Sequence, residues 1–197
     1  NITTYNRDAK GNVTKVINPD ASSKQYTYDA KNNLTGERDE TGKWTYYIYD
    51  ATNTYLLKVV RPLNGTDTYS ASADQSRFAI TTYTYYNSGY AIKGLIKTAT
   101  DPEGNTTTYT YDQYGNVETE TDSRSNTTNN TYNSLGLLTS SISPKGECTT
   151  YTYNQNGNPL MIEQDGGETT QIVYDELGRK SQEITPNLHQ TTQTGDV

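Results

Sequence analysis

The sequence predicts an all-β fold, a repetitive antiparallel β-hairpin meander forming a curved or spiralling sheet. Three observations carry that prediction. Glycine recurs every 21 residues at Gly94, Gly115, Gly136, Gly157 and Gly178, and the same grid upstream falls on Gly11, Asn32 and Asn53. A Tyr-x-Tyr-[Asp/Asn] element precedes the grid position again and again. Between these marks the chain alternates in β-favouring residues, as in Thr106 to Tyr111 and Asn116 to Thr121. A fixed period of this length is the signature of a repeat architecture and outranks local readings.

Taken in order, the first repeat contains Tyr5, Asp8, Gly11, Val13, Val16 and Ile17, and turns at Asn18-Pro19-Asp20. The second carries Tyr26, Tyr28, Asp29, Asn32 and Leu34. The third carries Tyr47, Tyr49, Asp50 and Asn53, followed by the apolar run Tyr55-Leu56-Leu57-Lys58-Val59-Val60. Regularity then breaks over an irregular insertion at about 66–93; its first part, 66–80, is mostly polar with Phe78-Ala79-Ile80 as its only apolar cluster, and the pattern resumes at Tyr83 and Tyr85. Gly89 stands at the motif spacing while the later grid starts at Gly94, so Asn87 to Lys93 reads as a widened hairpin loop or bulge. From Gly94 the beat is unbroken. Tyr109, Tyr111, Asp112 and Gly115 form one copy, Tyr151, Tyr153 and Gly157 another, with weaker forms at Tyr132 before Gly136 and at Tyr174, Asp175 and Gly178. The chain reads as one array over 1–197, with a patternless C-terminal tail at 187–197.

Each unit has a physical logic. Tyr109 and Tyr111 lie two apart, so on a strand they share a face and Thr110 takes the other. Asp112 can accept from the backbone N–H two residues on and open a turn, and Gly115 can close it at positive φ. Pro102 supplies a fixed φ in the same way at Asp101-Pro102-Glu103-Gly104. Turns 10 or 11 residues apart give two short strands per repeat and a ribbon about 20 Å wide. Stacked strands then make a tyrosine ladder, where cross-strand aromatic pairs add roughly 0.2–1 kcal/mol each. The opposite face, mostly Thr, Glu, Lys and Asn, is expected to be wet.

Composition narrows the function classes. Hydrophobic residues make up only 30% of the chain and mean hydropathy is −0.94, values that by themselves suggest disorder. The 19 tyrosines argue otherwise, because each brings a large apolar ring with a polar tip. A net charge of −7 with no basic cluster argues against nucleic acid or an anionic membrane as partner. No apolar run is long enough to span a bilayer. The chain starts mid-pattern, as a fragment of a longer array would.

Candidate chemistry is sparse. Cys148 stands alone and the single histidine, His189, lies in the tail, so no base is paired with the thiol. Asp8, Asp29, Asp50, Asp112 and Asp175 recur one per repeat at turns, which suits capping and not the convergent pair of a glycosidase. No catalytic, cofactor or metal site is expected. Six tyrosines lie outside the motif, namely Tyr46, Tyr55, Tyr69, Tyr86, Tyr90 and Tyr114. Of these Tyr86 and Tyr90, at the widened loop, are the candidates for recognition by ring stacking.

Tyr-x-Tyr-Asp-x-x-Gly-Asn-Val at Tyr109–Val117 strongly resembles the YD repeats of bacterial Rhs and wall-associated proteins, also found in teneurins. Asp101-Pro102-Glu103-Gly104-Asn105 resembles the turn before the motif, and Asn154-Gln155-Asn156-Gly157-Asn158 matches its own turn. The resemblance covers residues 3 to about 186, with a gap at 66–93. Pro159 and Lys180 depart from it, occupying the slot of Val13, Leu34, Ile96, Val117 and Leu138. The self-cleavage motif ending in Asp-Pro-x-Gly-Leu is missing. The resemblance implies a spiral of hairpins wrapped into a shell and a non-enzymatic scaffold segment of a secreted or cell-surface protein. That scaffold would enclose or display a toxin or effector module. The expected partners are the rest of the parent YD-repeat protein, such cargo, and copies meeting through sheet edges. The alternative reading is a carbohydrate-binding adhesin segment.

Overall fold

The computed structural model describes residues 2–65, 67–89 and 92–186, and within them the chain forms 16 strands and one 3-10 turn, Gln75–Arg77. The strands are β1 Thr4–Arg7, β2 Val13–Ile17, β3 Ser23–Tyr28, β4 Leu34–Arg38, β5 Trp44–Tyr49, β6 Leu56–Pro62, β7 Phe78–Tyr85 and β8 Ile96–Thr100. They continue as β9 Thr106–Tyr111, β10 Val117–Thr121, β11 Thr127–Tyr132, β12 Leu138–Ile142, β13 Cys148–Tyr153, β14 Pro159–Gln164, β15 Thr169–Tyr174 and β16 Lys180–Ile184. Each strand bonds to its sequence neighbours, so chain order is sheet order and the antiparallel meander is the one the 21-residue beat predicts. Two compact units divide the chain, 1–108 and 109–197.

The corners repeat one device. At the Asp112 corner, Asp112 N–H bonds to Asn116 O at 2.9 Å and Gly115 N–H to Asp112 O at 3.1 Å. The carboxylate accepts from the N–H groups of Tyr114 and Asn116 and from the Asn116 amide at 2.8 Å. Those bonds, led by the one from the Asn116 side chain, hold the Asp112 carboxyl below its ordinary value. Gly115 closes the corner at φ 89°, and where the grid lacks glycine Asn32 and Asn53 take φ 68° and 52°. Asparagine tolerates this left-handed geometry because its short polar side chain bonds locally. Successive corners meet along one edge of the first unit, with Asn12 Nδ2 to Asn32 Oδ1 at 3.0 Å and Asn33 Nδ2 to Asn53 O at 2.8 Å.

The second tyrosine of the motif has a task of its own. The β2–β3 ladder stops at Lys15↔Gln25, which leaves Val13 beyond the last pair. The Tyr28 hydroxyl donates to that Val13 carbonyl at 2.9 Å. The same bond recurs from Tyr49 to Leu34, Tyr85 to Leu56, Tyr132 to Val117, Tyr153 to Leu138 and Tyr174 to Pro159, at 2.7 to 3.1 Å. In each case the accepting residue opens a strand whose ladder to the following strand ends further in. The phenol therefore satisfies a carbonyl that the sheet leaves unpaired, something phenylalanine cannot do. Burial pushes the Tyr28, Tyr49, Tyr85, Tyr132 and Tyr153 phenols up, so the donor stays protonated.

Pro159 fits this scheme. It opens β14 opposite Tyr153, where the register shifts by one residue, and proline is tolerated at a first strand residue or a bulge. Its carbonyl remains available to Tyr174. Lys180, in the other atypical slot, turns to Glu183 at 2.7 Å on a strand exposed along its whole length.

Most of the core lies off the tyrosine ladder. The buried hydrophobic side chains among the described residues are Val59, Val60 and Phe78, with Val60 at 0% exposure. Val59 pairs with Tyr47 and Thr81 on the ladder face, whereas Val60, opposite Tyr46 and Ile80, lies on the other face. That second face was expected to be wet. Across β5 to β7 it instead carries Trp44, Tyr46, Val60 and Phe78, because the stretch carrying Tyr69 returns over it. Tyr69 stacks edge-on against Phe78 at 5.3 Å and lies 6.2 Å from Tyr46, and an Arg77–Asp67 ion pair closes the loop. Gly36 leaves room beneath: a Cβ there would stand 3.3 Å from the Trp44 ring.

Candidate functional site

The stretch 66–93 is not one loop. β7 crosses it, with the covering loop before and a widened corner after. The wide corner runs from Tyr86 to Leu95, closed by Tyr86 N–H to Leu95 O at 3.0 Å and Gly94 N–H to Tyr86 O at 2.9 Å. The neighbouring corner is also lengthened, since Asp50 N–H bonds to Tyr55 O, five residues on, where the regular corner reaches four. These two oversized corners bound a cleft of about 340 Å³ instead of the polar links seen between the earlier corners.

Its walls are largely aromatic. Tyr55, Tyr83, Tyr85 and Tyr86 line it together with Leu57, and Asp50, Asn87 and Lys93 supply polar groups. The Tyr55 and Tyr85 rings lie 5.0 Å apart, and the Tyr85 hydroxyl is engaged by Leu56 O at 2.7 Å. Lys97 Nζ lies 5.9 Å from the centre of the Tyr86 ring. The Asp50 carboxylate accepts from Thr52 Oγ1 at 2.6 Å, Thr54 N at 2.7 Å and Tyr55 N at 3.0 Å. These bonds, first the one from Thr52, pull its pKa down to about 2, so it is a fixed negative charge.

Of the two tyrosines singled out for recognition, Tyr86 lines this cleft and Tyr90 lies outside the described residues. The repeat positions Asp29, Asp50, Asp112 and Asp175 each hold their own turn, and Gly115, Gly136, Gly157 and Gly178 each take positive φ. Cys148 opens β13 with its Sγ 3.4 Å from Ser140 Oγ. Among the described residues no three metal-ligating side chains gather, and no helix is long and apolar enough to cross a membrane. Sequence reasoning missed the contributions of Asp50, Tyr55 and Lys93 to the cleft. The one available signal was the extra residue between Asp50 and Tyr55, which only a count of corner lengths reveals.

A family model described as Teneurin YD-shell matches residues 64–193, and one described as RHS Repeat matches residues 7–43. No curated protein matches the chain. Among solved structures, "Crystal Structure of TcdB2-TccC3 without hypervariable C-terminal region" aligns with a TM-score of 0.55 at 14% identity, covering 90% of this chain and 11% of that one. "Crystal Structure of TcdB2-TccC3-TEV" aligns at 0.51 with 16% identity over the same shares. The chain thus spans about a tenth of the length of the solved chains it matches, and at these identities the likeness is one of fold.

Proposed function

The chain belongs to the teneurin YD-shell family, and from that membership we propose that it is a structural segment of a YD-repeat shell, enclosing or displaying a toxin or effector module of its parent protein. The observation that supports this most is the uniformity of the sheet. Strand after strand pairs only with its sequence neighbours, and corner after corner is satisfied by its own side chains. Such an array builds wall, and extends by adding repeats. The reading places the parent protein outside the cell or on its surface and gives this segment no catalytic step.

The test uses the full-length parent protein and limited proteolysis. If the array is wall, the enclosed module resists thermolysin in the intact protein and is cut rapidly when expressed without the repeats. Equal cleavage in both settings would overturn the proposal.

A further inference from the structure

The cleft between the two oversized corners carries a feature that wall-building leaves unused. Asp50 and Lys93 both line it, yet no ion pair joins them, so residues of opposite charge share one aromatic cavity. Either charge alone would be an ordinary solvated group. Their common placement at a cavity of about 340 Å³ walled by tyrosine is what calls for a ligand.

We infer that this cleft binds a zwitterion of the phosphocholine type, with its quaternary ammonium among Tyr55, Tyr83, Tyr85 and Tyr86 beside Asp50 and its phosphate on Lys93. Three observations select that chemistry. A quaternary ammonium is held by aromatic faces through the ring quadrupole, and four tyrosines, Tyr55, Tyr83, Tyr85 and Tyr86, line the cleft. Such a group donates no hydrogen bond, so it suits a carboxylate that already accepts from Thr52, Thr54 and Tyr55. A primary ammonium or a sugar hydroxyl would instead ask for free acceptors there. The exposed Lys93 has no acidic partner among the described residues and is available to a phosphate. The inference is independent of the shell reading and fails or stands separately from it.

Titration of the folded chain with phosphocholine, choline, inorganic phosphate and lactose, followed by calorimetry or NMR, tests it. Saturable phosphocholine binding is expected, with a dissociation constant on the order of 1 mM, given the ligand's small size. Asp50→Asn is expected to weaken both phosphocholine and choline by about threefold or more. It is expected to keep the fold, since an amide oxygen accepts from the backbone in the same way at the regular Asn133 and Asn154 corners, and the thermal midpoint of the variant checks this. Lys93→Gln, at an exposed position, is expected to weaken phosphocholine by about threefold and leave choline unchanged. Cosedimentation with phosphatidylcholine vesicles would assign the headgroup to a membrane, and binding of free phosphocholine without cosedimentation would assign it to a soluble or glycan-linked source. The proposal is overturned if phosphocholine does not saturate by about 20 mM, some twentyfold above the expected constant. It is equally overturned if both variants bind like the parent, or if lactose matches phosphocholine.

Discussion

The segment from Trp44 to Tyr85 and the repeats from Tyr109 to Tyr174 share phenol caps and acidic corners, and they differ in what is buried. In the first, the stretch carrying Tyr69 covers one face and Val59, Val60 and Phe78 are withdrawn from water. In the second, no described hydrophobic side chain is buried, and Val173 and Leu160 remain 42% and 40% exposed. There the strands depend on carbonyls capped by phenols and on corners tied by Asp or Asn. A repeat sheet can therefore stand on polar bonds placed in every unit, and a true core appears only where an insertion supplies a cover.

The largest expected effect breaks the covered segment. Phe78→Ala removes the ring against which Tyr69 packs and should cost about 3–5 kcal/mol, the usual range for a buried phenylalanine. Fluorescence of Trp44, the single tryptophan, 5.8 Å from Tyr46, reports that region directly in a urea titration. Val173→Ala, by contrast, should stay below about 1 kcal/mol because its side chain is already wet. Equal losses at the two sites would erase the distinction.

A gain of about 1 kcal/mol is expected from Ser125→Gly. Ser125 takes φ 66° at the Asp122 corner, a conformation that glycine adopts without a Cβ penalty. Ala21→Gly, at φ 66°, should act in the same direction. Loss of stability in both variants would mean that the corners are not strained.

Acid should separate corners that look alike. The Asp112 and Asp122 carboxyls are held below 3.8, foremost by hydrogen bonds from the Asn116 and Asn126 side chains. A carboxyl whose pKa is depressed by folding contributes stability that is complete above its unfolded value and lost as pH falls through the folded one. Amide exchange at Tyr114 and Asn116 should therefore accelerate below pH 3.8. Leu135 and Leu137, tied to the uncharged Asn133, should not follow, and Asp112→Asn should abolish the difference. At the alkaline end the signs reverse. Phenols raised by burial lose their contribution as pH climbs past 10, the ordinary tyrosine value.

Much of this was legible in the residues. The 21-residue beat specifies hairpins because an Asp or Asn acceptor and a left-handed residue three positions on leave few other turns. Two things were not legible. Alternation assigns Tyr46, Val60 and Phe78 to one face, but only the return of the stretch carrying Tyr69 buries Val60 and Phe78 there. The spacing of Tyr28 and Tyr26 marks a shared face, but it does not distinguish a phenol that bonds from one that packs. The hint lay in composition, since 19 tyrosines against one phenylalanine implies that the hydroxyl has work. The cleft was half visible: Tyr86 was marked by the widened loop, while Asp50 was read only as a turn residue and Lys93 only as part of that loop.

The central claim is that the second motif tyrosine closes a carbonyl the ladder leaves open, and β13 offers an internal control. Tyr153 donates to Leu138 O at 2.7 Å, while Tyr151, two residues earlier in the strand, has no hydroxyl bond among the described residues. Urea denaturation of Tyr153→Phe and Tyr151→Phe compares them with the same atom deleted. The account predicts a loss of about 1 kcal/mol for Tyr153→Phe and a change within about 0.5 kcal/mol for Tyr151→Phe. Equal losses, or a larger one at Tyr151, would contradict it.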